Sequence, residues 1–104
     1  MARIITVFWR DIPTQIIAED GTGRNRKQIK LELSKRFMIS VDSSAMMANC
    51  QDSEEYLQYW RKSEPKVISI DLEKEANLLK ENIEESYDNF RLKELVKNGG
   101  YERK

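Results

Sequence analysis

The sequence predicts an α+β domain: a three- to four-stranded, mainly antiparallel sheet with two or three helices packed on one face. Three observations carry that prediction. Apolar residues alternate with period two in runs that end at Leu33, and beyond it the period becomes that of a helix. A turn signal, Asp20-Gly21-Thr22-Gly23, separates two of the alternating runs, where glycine accepts the positive φ of a hairpin turn. The chain has 104 residues, enough for one domain around one core.

The first strand is expected over about Arg3–Arg10, where Ile5, Val7 and Trp9 alternate with Thr6, Phe8 and Arg10. Both of its faces are apolar over part of its length, as in a strand that is central or covered on both sides. Pro13 has no N–H for a ladder, so it marks an edge position or the boundary of the second strand, Gln15–Glu19. The third strand is the clearest: Ile29, Leu31 and Leu33 share one face, and Gln28, Lys30 and Glu32 the other. Short connections between the three favour an antiparallel meander.

Ser34 is the expected N-cap of a helix in which Phe37, Met38, Val41, Ala45 and Ala48 recur at helical spacing, ending within Asn49–Asp52. Asp52 with Glu55 resembles a capping box for a short helix carrying Tyr56, Leu57 and Trp60 on one face. Ser63-Glu64-Pro65 ends it, because the residue before proline is pushed out of helical dihedrals. Residues 66–70 read as a fourth strand or an extended connector. Asp71 then caps a long amphipathic helix, residues 71–97. Its stripe advances through Leu72, Ala76, Leu79, Ile83, Tyr87 and Phe90, and continues through Leu92, Leu95 and Val96 to a stop at Asn98-Gly99-Gly100. Residues 1–98 are expected as a single domain and 99–104 as a flexible tail.

Composition excludes more than it identifies. The chain has no histidine, which removes the commonest metal ligand and the usual general base near neutral pH. One cysteine, Cys50, cannot form an intrachain disulfide, and it has no basic neighbour to activate it. No metal site, cofactor or catalytic residue is expected. The first apolar patch ends at Trp9, too short for a signal h-region, and no run is long enough to cross a bilayer, so the expected location is cytoplasmic, with no membrane partner.

Net charge is zero but segregated: residues 1–36 carry eight Lys/Arg against four Asp/Glu, and residues 52–88 five against eleven. The basic part can meet an anionic partner, or the acidic part of its own chain or of a second copy. The self-complementing arrangement is the simpler one.

The stretch "GTGRNRK", residues 21–27, is the most phosphate-like motif: two glycines precede Arg24, Arg26 and Lys27. It opens onto a strand rather than a helix, so the dipole contribution is missing, and a charged hairpin tip explains it equally. Arg10 joins these three as a possible small-anion set. Arg10-Asp11 has no second acid or nucleophile, so a local ion pair at a strand end accounts for it better than catalysis does. Neutral charge and a pI near 6.3 disfavour nucleic acid as partner. Trp9-Arg10 and Trp60-Arg61 repeat an aromatic–guanidinium pair, which serves either two core anchors or a partner surface. Met46-Met47, with Met38, makes either core filling or an adaptable apolar surface.

Two stretches resemble a known family. "ITVFWRDIPTQIIA", residues 5–18, and "LSKRFMISVDSSAMMANCQDSEEYLQYWR", residues 33–61, are similar to the small bacterial virulence-factor domain. The residues that carry the likeness are Trp9, Arg10, Asp11, Ile12, Pro13 and Gln15, then Arg36, Phe37, Ala45 and Met46, then Tyr56, Leu57, Trp60 and Arg61. It covers roughly residues 3–65, and Ser43 and Ser44 depart from its pattern. The resemblance implies an interaction module, found alone or on helical-repeat scaffolds, and neighbourhoods of corrinoid and folate one-carbon methyl transfer. It supplies no catalytic residues.

The expectation is therefore a non-enzymatic interaction domain or accessory subunit, whose partner is another protein or a second copy. Its binding residues would be Trp9, Arg10, Asp11, Gln15, Arg24, Arg26, Lys27 and Arg61. The alternative is a small phosphorylated-ligand or nucleic-acid binder using the basic hairpin.

Overall fold

The alternation that begins the chain does build its sheet. The computed structural model describes residues 2–21, 26–48 and 53–102. Among them the chain runs β1 (Ala2–Trp9), β2 (Ile12–Asp20), β3 (Lys27–Glu32), α1 (Lys35–Met47), α2 (Ser53–Gln58), β4 (Trp60–Lys62), β5 (Lys66–Val67), α3 (Leu72–Ser86) and α4 (Asn89–Lys97). The sheet order is β3-β2-β1-β4, with β5 also on β1, and every pairing is antiparallel. This is the α+β class that the change of period predicts.

Register sorts the side chains by face. Ile4, Ala18 and Ile29 line up across β1, β2 and β3, as do Thr6, Ile16 and Leu31. Apolar residues of these rows join Leu72, Ala76, Leu79 and Ile83 of α3 in the core. The reverse face carries Arg3–Glu19–Gln28, Ile5–Ile17–Lys30 and Val7–Gln15–Glu32. At the other end of the core, Phe37, Val41 and Ala45 of α1 meet Leu92 and Leu95 of α4 and the ring of Trp9. Glycine is required at Gly21, where φ is 84° and β2 turns away from its last residue.

Several expectations are corrected. The second strand begins at Ile12 and contains Pro13. Thr14 is an extra residue where the register shifts between Val7 and Phe8, and its hydroxyl donates to the Val7 carbonyl at 2.9 Å. A proline is tolerated at such an irregularity because a ladder bond is already missing there. Trp60 is not helical. It opens β4, opposite Trp9 in register, and α2 stops at Gln58.

The long helix of 71–97 is two helices. α3 ends at Ser86, and the Asp88 side chain accepts from the Arg91 N–H at 2.8 Å, capping a new start at Asn89. After this break Phe90 leaves the apolar stripe and is exposed. Asp71 caps α3 as expected, accepting from Lys74 N–H. Ser34 holds the N-cap position of α1 without a side-chain cap bond. Its hydroxyl and its N–H both donate to Glu84, at 2.7 and 2.8 Å. Thr22-Gly23 with Arg24, the helix end at Asn49–Asp52, Cys50, the Asp52 cap and residues 103–104 lie outside the described residues.

Candidate interaction surface

The Trp9-Arg10-Asp11 corner joins β1 to β2 and gathers two distant segments. Trp9 is fully buried, donates from Nε1 to the Tyr56 carbonyl at 2.9 Å, and meets the Tyr59 ring edge-on. Arg10 adopts a φ of 52°, unusual for a residue with a side chain. That bend turns its guanidinium in among the rings of Tyr59, Trp9 and Tyr101, at 4.0, 5.0 and 4.6 Å. Its Nη1 donates to the Gly99 carbonyl at 2.6 Å.

Asp11 accepts through one oxygen from Arg61 at 3.1 Å and through the other from the Glu102 N–H at 2.7 Å. Arg61 also donates from Nε to the Arg10 carbonyl and stacks over Phe8 at 4.4 Å. The expected binding residues Trp9, Arg10, Asp11 and Arg61 are thus brought together, and each of them hydrogen-bonds to another segment of the chain. Each Asp11 oxygen accepts one hydrogen bond from a distant segment of the chain. The segment Gly99–Glu102, where the sequence reads as tail, is fastened here.

The basic hairpin lies elsewhere. Lys27 pairs with Asp20 at the end of the ladder opposite the Arg10 corner. Arg26 approaches Glu19 at 3.8 Å on the reverse face of the sheet. Glu19 is buried and also accepts from Arg3 at 2.6 Å and from Gln28 at 3.1 Å. The hydrogen bond from Arg3 holds its carboxyl below the ordinary carboxylate range against the opposing effect of burial. Arg10 and Lys27 therefore do not form one anion site.

Gln15 lies in a groove between the end of the β2–β3 ladder and α1, with Trp60, Met38 and Ile39 among its walls. Beside it lies the feature that residue-by-residue reading underweighted: the outer side of α1. Met38, Ile39, Met46 and Met47 are 39%, 62%, 66% and 65% exposed, and Leu57 of α2 is 63% exposed. The inner side, with Phe37, Val41, Ser44 and Ala45, takes the core. So α1 also carries apolar side chains on its outer side, beside the exposed Lys35 and Asp42. Met46-Met47 was the available signal, and its surface reading is the one the fold realises. Single exposed apolar residues are ordinary, but four on one helix of 13 residues are not scattered.

Among the described residues no group of three His, Cys, Asp or Glu is placed to hold a metal ion. No helix among them is long and apolar enough to cross a membrane. A family model described as "Virulence factor" matches residues 7–96, well over half of the chain. The match runs past the 3–65 of the sequence resemblance and takes in α3 and nearly all of α4. No curated protein and no solved structure matches.

Proposed function

Because the chain belongs to the virulence factor family, and because its Trp9-Arg10-Asp11 corner is bound by other segments of the same chain, we propose that it is a non-enzymatic docking module whose contact surface is the outer side of α1. The observation that carries this reading is the run of exposed Met38, Ile39, Met46 and Met47. Methionines suit such a surface, because a flexible thioether repacks against different partners at low cost. The partner in this reading is another protein, and the resemblance points to a subunit of a corrinoid or folate methyl-transfer system in the cytoplasm. The Arg10 corner then has a supporting role: it holds α2, β4 and the chain's last described residues so that α1 is presented on a rigid base.

The test is affinity capture from the source cells with three baits: wild type, the Ile39→Asp/Met46→Asp variant and Val67→Asp. Val67 is equally exposed but sits on β5. A partner held in fixed ratio by wild type and by Val67→Asp, and lost with the α1 variant at unchanged melting temperature, supports the reading. Identical capture by all three baits overturns it.

A further inference from the structure

Between α1 and α4 runs an open groove of about 490 Å³. Ile39, Leu92 and Val96 give it an apolar lining, and the charged residues that line it are Arg36, Lys93 and Lys97, with no carboxylate. Lys93 and Lys97 are exposed, and an i,i+4 spacing puts them on one face of α4. Phe90, 72% exposed, precedes Lys93 by three residues and extends the same face. Arg36 is already bound to Glu84 at 3.0 Å, so the groove's uncommitted charge comes from α4. Among the described residues Lys97 pairs with the exposed Glu94 at 3.6 Å, a contact worth little in water.

We propose that this groove takes an acidic amphipathic helix of the partner, apolar side down on Ile39, Leu92 and Val96, with its carboxylates against Lys93 and Lys97. The inference rests on the docking reading and adds the chemistry of the occupant. Three features of the groove select it. The lining residues of α4 run from Asn89 to Lys97, about 12 Å at the helical rise, which matches two turns of a partner helix. An apolar floor between helices is the usual seat for i, i+3, i+7 anchors. A rim of one sign attracts the opposite sign and repels its own.

The probe is a fluorescein-labelled synthetic helix of about two to four turns with leucine at those anchor positions and glutamate elsewhere. A lysine version and vesicles of anionic phospholipid serve as competitors. Anisotropy is expected to show binding of the glutamate helix, weakening with salt. Reversing both charges in Lys93→Glu/Lys97→Glu is expected to weaken it about tenfold or more, since two weak attractive pairs become repulsive. The same variant is expected to gain affinity for the lysine helix. Equal binding of both helices to wild type, indifference to the charge reversal, or a preference for the vesicles overturns the proposal. If no glutamate helix binds while capture through Ile39 persists, this inference fails and the docking reading stands. If capture ignores Ile39→Asp/Met46→Asp, the docking reading itself fails.

Discussion

The guanidinium carbon of Arg10 lies 4.0 Å from the centre of the Tyr59 ring, in a chain turn whose φ of 52° aims it there. The contact links β1 to the segment between α2 and β4, and Arg10 adds the Gly99 carbonyl from the far end of the chain. Arg10→Ala is expected to cost about 2–4 kcal/mol in urea denaturation, from a desolvated cation–π contact and a charge-assisted hydrogen bond. Arg10→Gly removes the same contacts but relieves the left-handed backbone. It should therefore be more stable than Arg10→Ala by about 1 kcal/mol. If the glycine variant is the weaker of the two, the left-handed turn at Arg10 carries no strain.

The partner of that corner is equally constrained. At Gly100, φ is 96° and a Cβ would stand 2.9 Å from Cζ3 of the buried Trp9 ring. At Gly99, φ is 69° and a Cβ would meet Arg10 Nη1 at 3.2 Å, the end of a side chain that can shift. Gly100→Ala is expected to destabilise by about 2 kcal/mol or more, left-handed backbone and overpacking together, and Gly99→Ala by about 1 kcal/mol. Thermal unfolding of the two variants against wild type tests the order.

Local periodicity made the sheet readable, and tertiary contact decided what it could not. β1 and β3 can be placed within a residue or two, because β1 buries Ala2, Ile4 and Thr6 and β3 lays the partly buried Ile29 and Leu31 against the core. β4 has three residues, two of them charged, and exists only because Val7–Trp9 offers it an edge. The helix break at Ser86–Asn89 was hidden because the stripe continues through it in sequence, while the Asp88 cap resembles any surface aspartate. At the Arg10 corner the residue types were legible as a group. Their partners were not, since Gly99 and Glu102 lie about 90 positions away.

Acid should weaken the fold through two carboxylates. Glu19 is held below its ordinary value by the Arg3 hydrogen bond. Burial pushes Glu84 up, but donation from Ser34 and Arg36 outweighs it, so that carboxyl is lowered as well. A carboxylate with a depressed folded-state pKa contributes stability that is complete above its unfolded value, near 4.5. That contribution is lost as pH falls through the folded value. Urea midpoints are therefore expected to be flat from about pH 7 to 5 and to fall below that, since both groups begin to bind protons only there. Glu19→Gln and Glu84→Gln should each lower stability at neutral pH and flatten the acid limb. An unchanged acid limb in both variants would remove these two groups from the account.

Arg36 controls where α3 ends. Its guanidinium donates to the Tyr87 carbonyl, to the Glu84 carbonyl at 2.7 Å, and to the Glu84 carboxylate at 3.0 Å. Carbonyls of a last turn have no intrahelical partner, so a half-buried cation there supplies what the missing next turn would have given. Asp88 works from the other side by accepting the Arg91 N–H, and Tyr87 packs its ring edge-on against Phe37 between them. Arg36→Ala is expected to cost about 2–3 kcal/mol, the range for hydrogen bonds from a charged donor to groups left partly buried. Arg36→Lys should recover less than half, because a point charge cannot span both carbonyls and the carboxylate. Asp88→Ala is expected to cost about 1 kcal/mol as an ordinary N-cap loss, with faster amide exchange at Arg91. Arg36 holds the Tyr87 carbonyl, which is peptide-bonded to Asp88, so the two sites share one junction and the double variant should depart from additivity by about 0.5 kcal/mol or more. A double variant that is more stable than either single one would mean that α3 and α4 have fused into the continuous helix the apolar stripe suggests. In that event Phe90 would return to the stripe and lose its exposure, and quenching of a Phe90→Trp reporter would register it.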